Sequence, residues 1–408
     1  MRGRIRIRML AAVVLIFLFR AASAAGQSAQ RLAVLSEPGT PVVAAEFLLT
    51  VGPADEEASL AGLANLSARA AVAGLRADFD SMGVHLNVTA HKDALAFSLI
   101  AAPDAWKPAT RLLLEALLTE APDSADVEVE KRAVIAELAA RQSNPADAAT
   151  RELDSSFFGT NHPWGRPTIG TPQSLARIGT ADVDEFLQEN FVSGRTLAAV
   201  VGPVDEADVR EHLEPLLGSG NPTPVEVVPF SSAERPVRRD YNSITTWVAA
   251  SFRFPETADE DVLRFVAFLA GQTLSFSPSQ RSVYDVDTDV FARAGSGEIR
   301  LQVVIPPEES DEWAERVSEA FADLESGSLP EDVFDGHVRR FRGERLLQLI
   351  TPEARAYAAA RQLLVYGRFD GLVPDTADLS QARVRDAARS LNDPTVVVLG
   401  PELEEDPG

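Results

Sequence analysis

Apolar and polar positions along the chain switch between a two-residue and a 3.6-residue period, and each switch marks the edge of an element. In the first half the pattern predicts a strand over 42–51, a helix over 59–74, and strands over 84–89 and 94–101 joined at His91, Lys92 and Asp93. Helices follow over 105–119 and 126–142, the second with Val127, Val134 and Leu138 at helical spacing. A helix over 148–158, the turn-rich stretch GTNHPWGRPTIGTP, a helix over 181–190 capped by Thr180 and a strand over 196–201 complete this half. The second half gives a strand over 245–254, a helix over 258–270 and a hairpin of strands 282–293 and 298–305 around Gly295, Ser296 and Gly297. Helices over 308–325, 331–350, 352–366 and 379–391 then lead to a strand over 395–399.

The same text is written twice. VVAAEFLLTVGPAD at 42–55 parallels WVAASFRFPETAD at 247–259, and LAAVVGPVDEADV at 197–209 parallels TVVVLGPELEED at 395–406. With 408 residues, the chain is long enough for two cores. The pattern predicts an α+β protein of two homologous domains, 30–217 and 241–405, each an antiparallel sheet covered by helices on one face. The intervening 218–240, rich in Pro, Gly and Ser, reads as a linker.

Composition adds a location and removes some partners. Arg2, Arg4, Arg6 and Arg8 precede an apolar run over 9–19 and the small residues Ala22, Ser23 and Ala24, the three-part pattern of a signal peptide over 1–25. The expected protein is exported, periplasmic or secreted, with no stable membrane insertion after cleavage; an uncleaved anchor is the alternative. No cysteine is present, which excludes disulfides and thiolate metal sites. The net charge of −23 argues against nucleic acid or an anionic membrane as the main partner, because phosphate binding needs clustered Lys and Arg.

The stretch AGLANLSARAAVAGL at 61–75 has the outline of a metal-binding helix. Residues four apart share a helix face, so two histidines there could hold Zn²⁺ while a glutamate between them polarised its water. Here those positions are Asn65, Ala68 and Arg69. With its Gly-Leu-Ala lead-in, the stretch resembles the GLAHxxEH segment of the pitrilysin/insulinase metallopeptidases, the inverzincin family that includes the mitochondrial processing peptidases and their bacterial relatives. The resemblance puts the first ligand on Asn65, the general base on Ala68 and the second ligand on Arg69. The third falls on Glu137 in VEKRAVIAELAARQSNP. FFGTNHPWGRPTIGT is similar to the family's HPxG and Gly-Thr pattern. GVHLNVTA at 83–90 resembles the edge strand that aligns a peptide substrate, with Asn87 at the family's asparagine; a plain structural strand is the alternative. In GQTLSFSPSQRSVYDV, Tyr284 stands at the substrate-contacting tyrosine, while Arg281 lies only three residues ahead of it, closer than in the family.

The resemblance covers nearly all of the mature chain and implies a clam-like chamber. It implies the non-catalytic subunit of an exported zinc metallopeptidase pair, with zinc held only by an HxxEH-bearing homologous partner and with chamber wall and peptide contacts supplied by this chain. A stand-alone peptide-binding protein is the alternative; a hydrolase with a relocated metal needs ligands that the sequence does not offer. His85, His91, His162, His212 and His337 read as surface or turn residues. A guanidinium at position 69 is expected either to pair with Glu137 in place of a metal or to point into solvent.

Overall fold

The computed structural model describes residues 29–402 apart from 120, 219–235, 256–257, 276–282, 294–295, 328, 374–375, 377–378 and 392. The signal sequence read at 1–25, Arg281 and most of the linker lie outside the described residues. The first half runs β1 (Leu32–Ser36), β2 (Val43–Leu49), α1 (Leu63–Ala73), α2 (Arg76–Met82), β3 (His85–Ala90) and β4 (Leu95–Ala101). It continues with α3 (Trp106–Thr119), α4 (Ser124–Arg141), α5 (Pro145–Phe158), α6 (Pro172–Leu175), α7 (Thr180–Asn190), β5 (Thr196–Gly202) and α8 (Glu206–Leu217). The second half runs β6 (Val237–Asp240), β7 (Thr246–Phe254), α9 (Glu260–Ser275), β8 (Asp285–Arg293) and β9 (Ser296–Ile305). After these come α10 (Ser310–Ser318), α11 (Ala322–Ser326), α12 (Glu331–Gln348), α13 (Pro352–Tyr366), α14 (Gln381–Arg389) and β10 (Thr395–Gly400).

The duplication is visible in the sheets. One has the strand order β1-β5-β2-β4-β3 and the other β6-β10-β7-β9-β8, five strands each in the same arrangement. Each is antiparallel except at one edge, where β1 runs parallel to β5 and β6 parallel to β10. These two parallel edge strands were not predicted, and β6 occupies the end of the stretch read as linker. Both are short, and Val237–Asp240 carries three charged residues, so its sequence has no apolar alternation to read. The helix expected over 308–325 is broken at Glu319 into α10 and α11. Thr180 opens α7 rather than capping it; the N-cap is Gly179, whose N–H donates to Asp182 Oδ2 at 2.7 Å.

Each half's own helices cover one face of its sheet, and the second face is covered by a helix of the other half. On the first sheet Phe47, Leu95, Phe97 and Val200 face α1, α3 and α7 in the main core. The other face is apolar too, with Leu48, Ala96, Leu197 and Ala199, and a strand apolar on both faces needs cover on both. The second half supplies it: α13 lays Ala356, Ala359, Ala360 and Leu363 against that face. In return α5 lays Ala148, Ala149 and Leu153 against Ala249, Val397 and Leu399 of the second sheet. Alanine on the contacting face of each helix permits close approach, and the two halves are interlocked by this exchange.

Candidate functional site

The start of α1 is set by backbone contact. Gly62 has φ +92°, and a Cβ there would lie 2.7 Å from the Cα of Gly170. The Gly-Thr turn of the first half therefore packs directly on the helix lead-in, and both positions demand glycine. Ser174 Oγ donates to Ala61 O at 2.6 Å, while the buried Glu56 carboxylate accepts from Gly62 N at 3.1 Å and Ala64 N at 2.8 Å. Upstream, His162 caps the 163–165 turn through Nδ1, which accepts from Trp164 N at 3.0 Å, and its ring stacks on Phe158. The family-like segments thus act as a mount for one helix end.

That helix turns Asn65, Ala68 and Arg69 toward α4. Asn65 is buried and its Nδ2 has no hydrogen-bond partner among the described residues; Ala68 is fully buried. Arg69 spans two carboxylates, with Nε donating to Glu130 Oε2 at 3.0 Å and Nη1 to Glu137 Oε2 at 2.9 Å. Arg76, at the start of α2, also donates to Glu130, and Arg141 donates to Glu137 at 2.6 Å. Glu130 is 1% exposed, so its charge is held in the interior by two guanidiniums. The expected Arg69–Glu137 contact is present, and the solvent-facing alternative is not.

Glu130 and Arg76 were missed by sequence reasoning. Glu130 lies seven residues before Glu137, two helical turns along the same face, which is the signal that could have found it.

The donor set does not fit zinc. Zinc needs deprotonated N, S or O ligands around an open centre, whereas Arg69 stays protonated and lies within 3.0 Å of both carboxylates. Asn65 directs no paired group at the site, and Ala68 carries no base. Among the described residues no group of three or more His, Cys, Asp or Glu is gathered as a metal-binding cluster. Removing the Arg69 guanidinium leaves Glu130 buried with one cation. Arg69→Ala is therefore expected to destabilise the protein by about 2 kcal/mol. Arg69→Lys should recover only part of this, because an ammonium cannot span both carboxylates. Urea unfolding of the two variants checks both statements.

The other predicted residues stand elsewhere. Asn87 is exposed on β3, the open edge of the first sheet, with Nδ2 donating to Thr89 Oγ1 at 3.2 Å. It alternates with Leu86 and Val88, which pack on the core under α1, so its side chain points away from that helix. Tyr284 is 65% exposed beside β8, the corresponding edge of the second sheet, and its N–H donates to Val304 O at 2.8 Å. The structure brings Asn65, Ala68, Arg69 and Glu137 together and leaves Asn87 and Tyr284 on separate edges.

Between the halves lies a second polar cluster, entered by the His91-Lys92-Asp93 turn. Lys92 pairs with Asp154 of α5 at 2.9 Å, and Asp154 with Arg300 of β9 at 2.7 Å. Glu298 receives Arg293, Arg300 and the Ser251 hydroxyl at 2.9, 3.1 and 2.7 Å. Burial pushes the Glu298 carboxyl up, but Arg300 and Arg293 outweigh it and hold the group at about 2. Asp93 accepts two bonds of 2.8 Å from Arg361 of α13, whose Nη2 also donates to Ala292 O of β8. His91 stands in the β3–β4 turn, half-buried: it packs on Tyr357, and burial, with Arg361 close by, lowers its pKa to about 4. His162 is buried, whereas His85 is exposed.

These features define a duplicated α+β shell in which Arg69 joins two helices through a pair of carboxylates. Residues 31–172 match the family model described as insulinase, peptidase family M16. An uncharacterized zinc protease of Mycobacterium bovis is 31% identical over 175 residues, which are 40% of this chain and 40% of that protein. A solved structure from Pseudomonas fluorescens, described as a peptidase M16 inactive domain, superposes with a TM-score of 0.75 at 17% identity, covering 93% of this chain and 98% of that one. A chain of complex III2 from Candida albicans, solved with Inz-5 bound, gives 0.76 at 16% identity over 91% and 94%. The first half of this chain is thus similar to the insulinase (M16) peptidase family, and the whole chain shares the fold of those solved structures. It matches 40% of the length of its Mycobacterium bovis relative, a stretch that includes neither that whole protein nor this one.

Proposed function

We propose that this chain is the non-catalytic subunit of an exported zinc metallopeptidase pair. One observation carries the reading: the Arg69 guanidinium lies between Glu130 and Glu137, at the helix pair where the family resemblance would put a metal. The arginine supplies the cation that these carboxylates need, so the fold no longer depends on zinc and the site has neither ligand set nor base. In this reading zinc resides in a homologous HxxEH-bearing subunit, and this chain contributes chamber wall and peptide contacts, including the open β3 edge around Asn87 and the exposed Tyr284. Two likenesses support it, one to a structure described as an inactive M16 domain and one to a chain of a multisubunit complex.

The open β3 edge also favours a second reading, capture of extended peptides without a partner, because backbone pairing needs an unpaired strand and no metal. Native mass spectrometry of the protein purified from its own host separates the two. The first expects a complex of about twice the subunit mass with one Zn²⁺ that follows the other polypeptide on dissociation. A metal-free monomer or homodimer supports the second, and zinc retained by this chain overturns both.

A further inference from the structure

The charge of the whole chain hides one local reversal, at the elbow where α12 turns into α13. The buried stripe of α12 is Phe334 and Phe341, with Val338 half-buried between them. Its opposite face ends in Arg339, Arg342 and Leu346, which lie within a narrow arc at helical spacing, with Arg340 and Leu347 flanking and Ile350 in the turn beyond. The three arginines are exposed, and Arg339 and Arg342 pair with no described acidic residue; Arg340 holds Glu344 at 3.0 Å. Leu346, Leu347 and Ile350 are 47%, 66% and 69% exposed.

The helix dipole favours cations in the last turn, where Arg345 stands, so it explains neither Arg339, Arg340 and Arg342 nor the exposed aliphatics. Nor does the fold require them. The duplicate elbow between α4 and α5, with a helix of equal length, 18 residues, and a capped proline start, carries Ala139, Ala140 and Ser143 instead.

We infer that the α12–α13 elbow is a peripheral docking site for an anionic lipid bilayer. Arg339, Arg340 and Arg342 meet lipid phosphates, and Leu346, Leu347 and Ile350 enter the headgroup–acyl boundary. Charge complementarity selects the occupant, since this basic patch on a −23 chain is turned toward a negative surface while the rest is repelled from it. Size excludes a stable protein partner. Three aliphatic tips offer on the order of a few hundred Å², while a stable interface buries roughly 800 Å² on each side. Among the described residues no helix is long and apolar enough to cross a membrane, so the contact is superficial.

The test is co-sedimentation of the purified full chain with vesicles of phosphatidylethanolamine and phosphatidylglycerol, against vesicles of phosphatidylcholine alone. The unchanged chain and its variants share the same leader, so the comparison isolates the elbow. Arg339→Glu/Arg342→Glu is expected to weaken binding to the anionic vesicles by at least about tenfold. Leu347→Gln/Ile350→Gln should lose binding with an unchanged melting temperature, and added salt should release the unchanged chain. Equal binding of all three proteins, or no preference for the anionic vesicles, overturns the inference. So does sedimentation equilibrium in which the same variants dissolve a self-association of the unchanged chain, because the elbow is then a protein interface.

Discussion

Asp93→Ala is expected to lower the unfolding free energy by about 3–5 kcal/mol, the usual cost of leaving one member of a buried ion pair without its partner. The Arg361 guanidinium joins three elements: the β3–β4 turn through Asp93, its own helix α13, and β8 through Ala292 O. Because α13 belongs to the second half and covers the sheet of the first, this group ties the two halves together alongside the Asp154–Arg300 pair. Removing the carboxylate leaves a buried cation with a single carbonyl. The double variant Asp93→Ala/Arg361→Met should regain much of the loss, since apolar groups of similar volume replace a buried pair at little cost. Acid should have a related effect. Burial raises the Asp93 pKa, but Arg361 more than offsets it and the net shift is downward, so this stabilisation is present above the ordinary Asp range and lost as pH falls through the depressed value. Chemical unfolding of the single and double variants decides the matter; a loss below about 1 kcal/mol would mean that the exchanged helices alone hold the halves together.

Much of this architecture was legible because period and repetition are local signals. The strands over 42–51, 94–101 and 245–254 and most helices fall where alternation places them. The destinations of α5 and α13 were not legible. Each reads as an amphipathic helix, and nothing in Ala148, Ala149 and Leu153 says that their sheet lies in the other half of the chain. The candidate site divides in the same way. Arg69 and Glu137 were readable through resemblance to a motif, whereas Glu130 and Arg76 belong to no motif and matter only because folding brings them onto the same guanidinium and carboxylate. The elbow of α12 was invisible to composition, since a net charge averages away four arginines in seven positions.

Glu46→Gln is expected to stabilise the protein above neutral pH by about 3 kcal/mol and to leave it unchanged near pH 4. The duplication supplies the comparison that makes the reason plain. On β7 the position matching Glu46 is Ser251, whose hydroxyl helps to hold Glu298 beside Arg293 and Arg300. On β2 the carboxylate itself stands at that position, 1% exposed, with Ser98 as its polar neighbour and, among the described residues, no cation beside it. Ser98 on β4 and Glu353 and Tyr357 on α13 are the polar groups that face it. Burial therefore pushes the Glu46 pKa up to about 7, and Glu353 adds to the rise against the smaller effect of Ser98. An acid whose folded pKa is raised costs nothing while it is protonated in both states. It loses stability as pH climbs from the unfolded value, near 4.5, to the folded one, near 7, and the penalty is constant beyond. Glutamine keeps the shape and cannot ionise, so the variant should lack that slope. Melting curves from about pH 4 to 9 test this. Coinciding curves for the two proteins would show that the Glu46 charge finds a partner when α13 docks; a gap that opens between pH 5 and 7 would show that the seam between helix and sheet carries an unpaid ionisation at neutral pH.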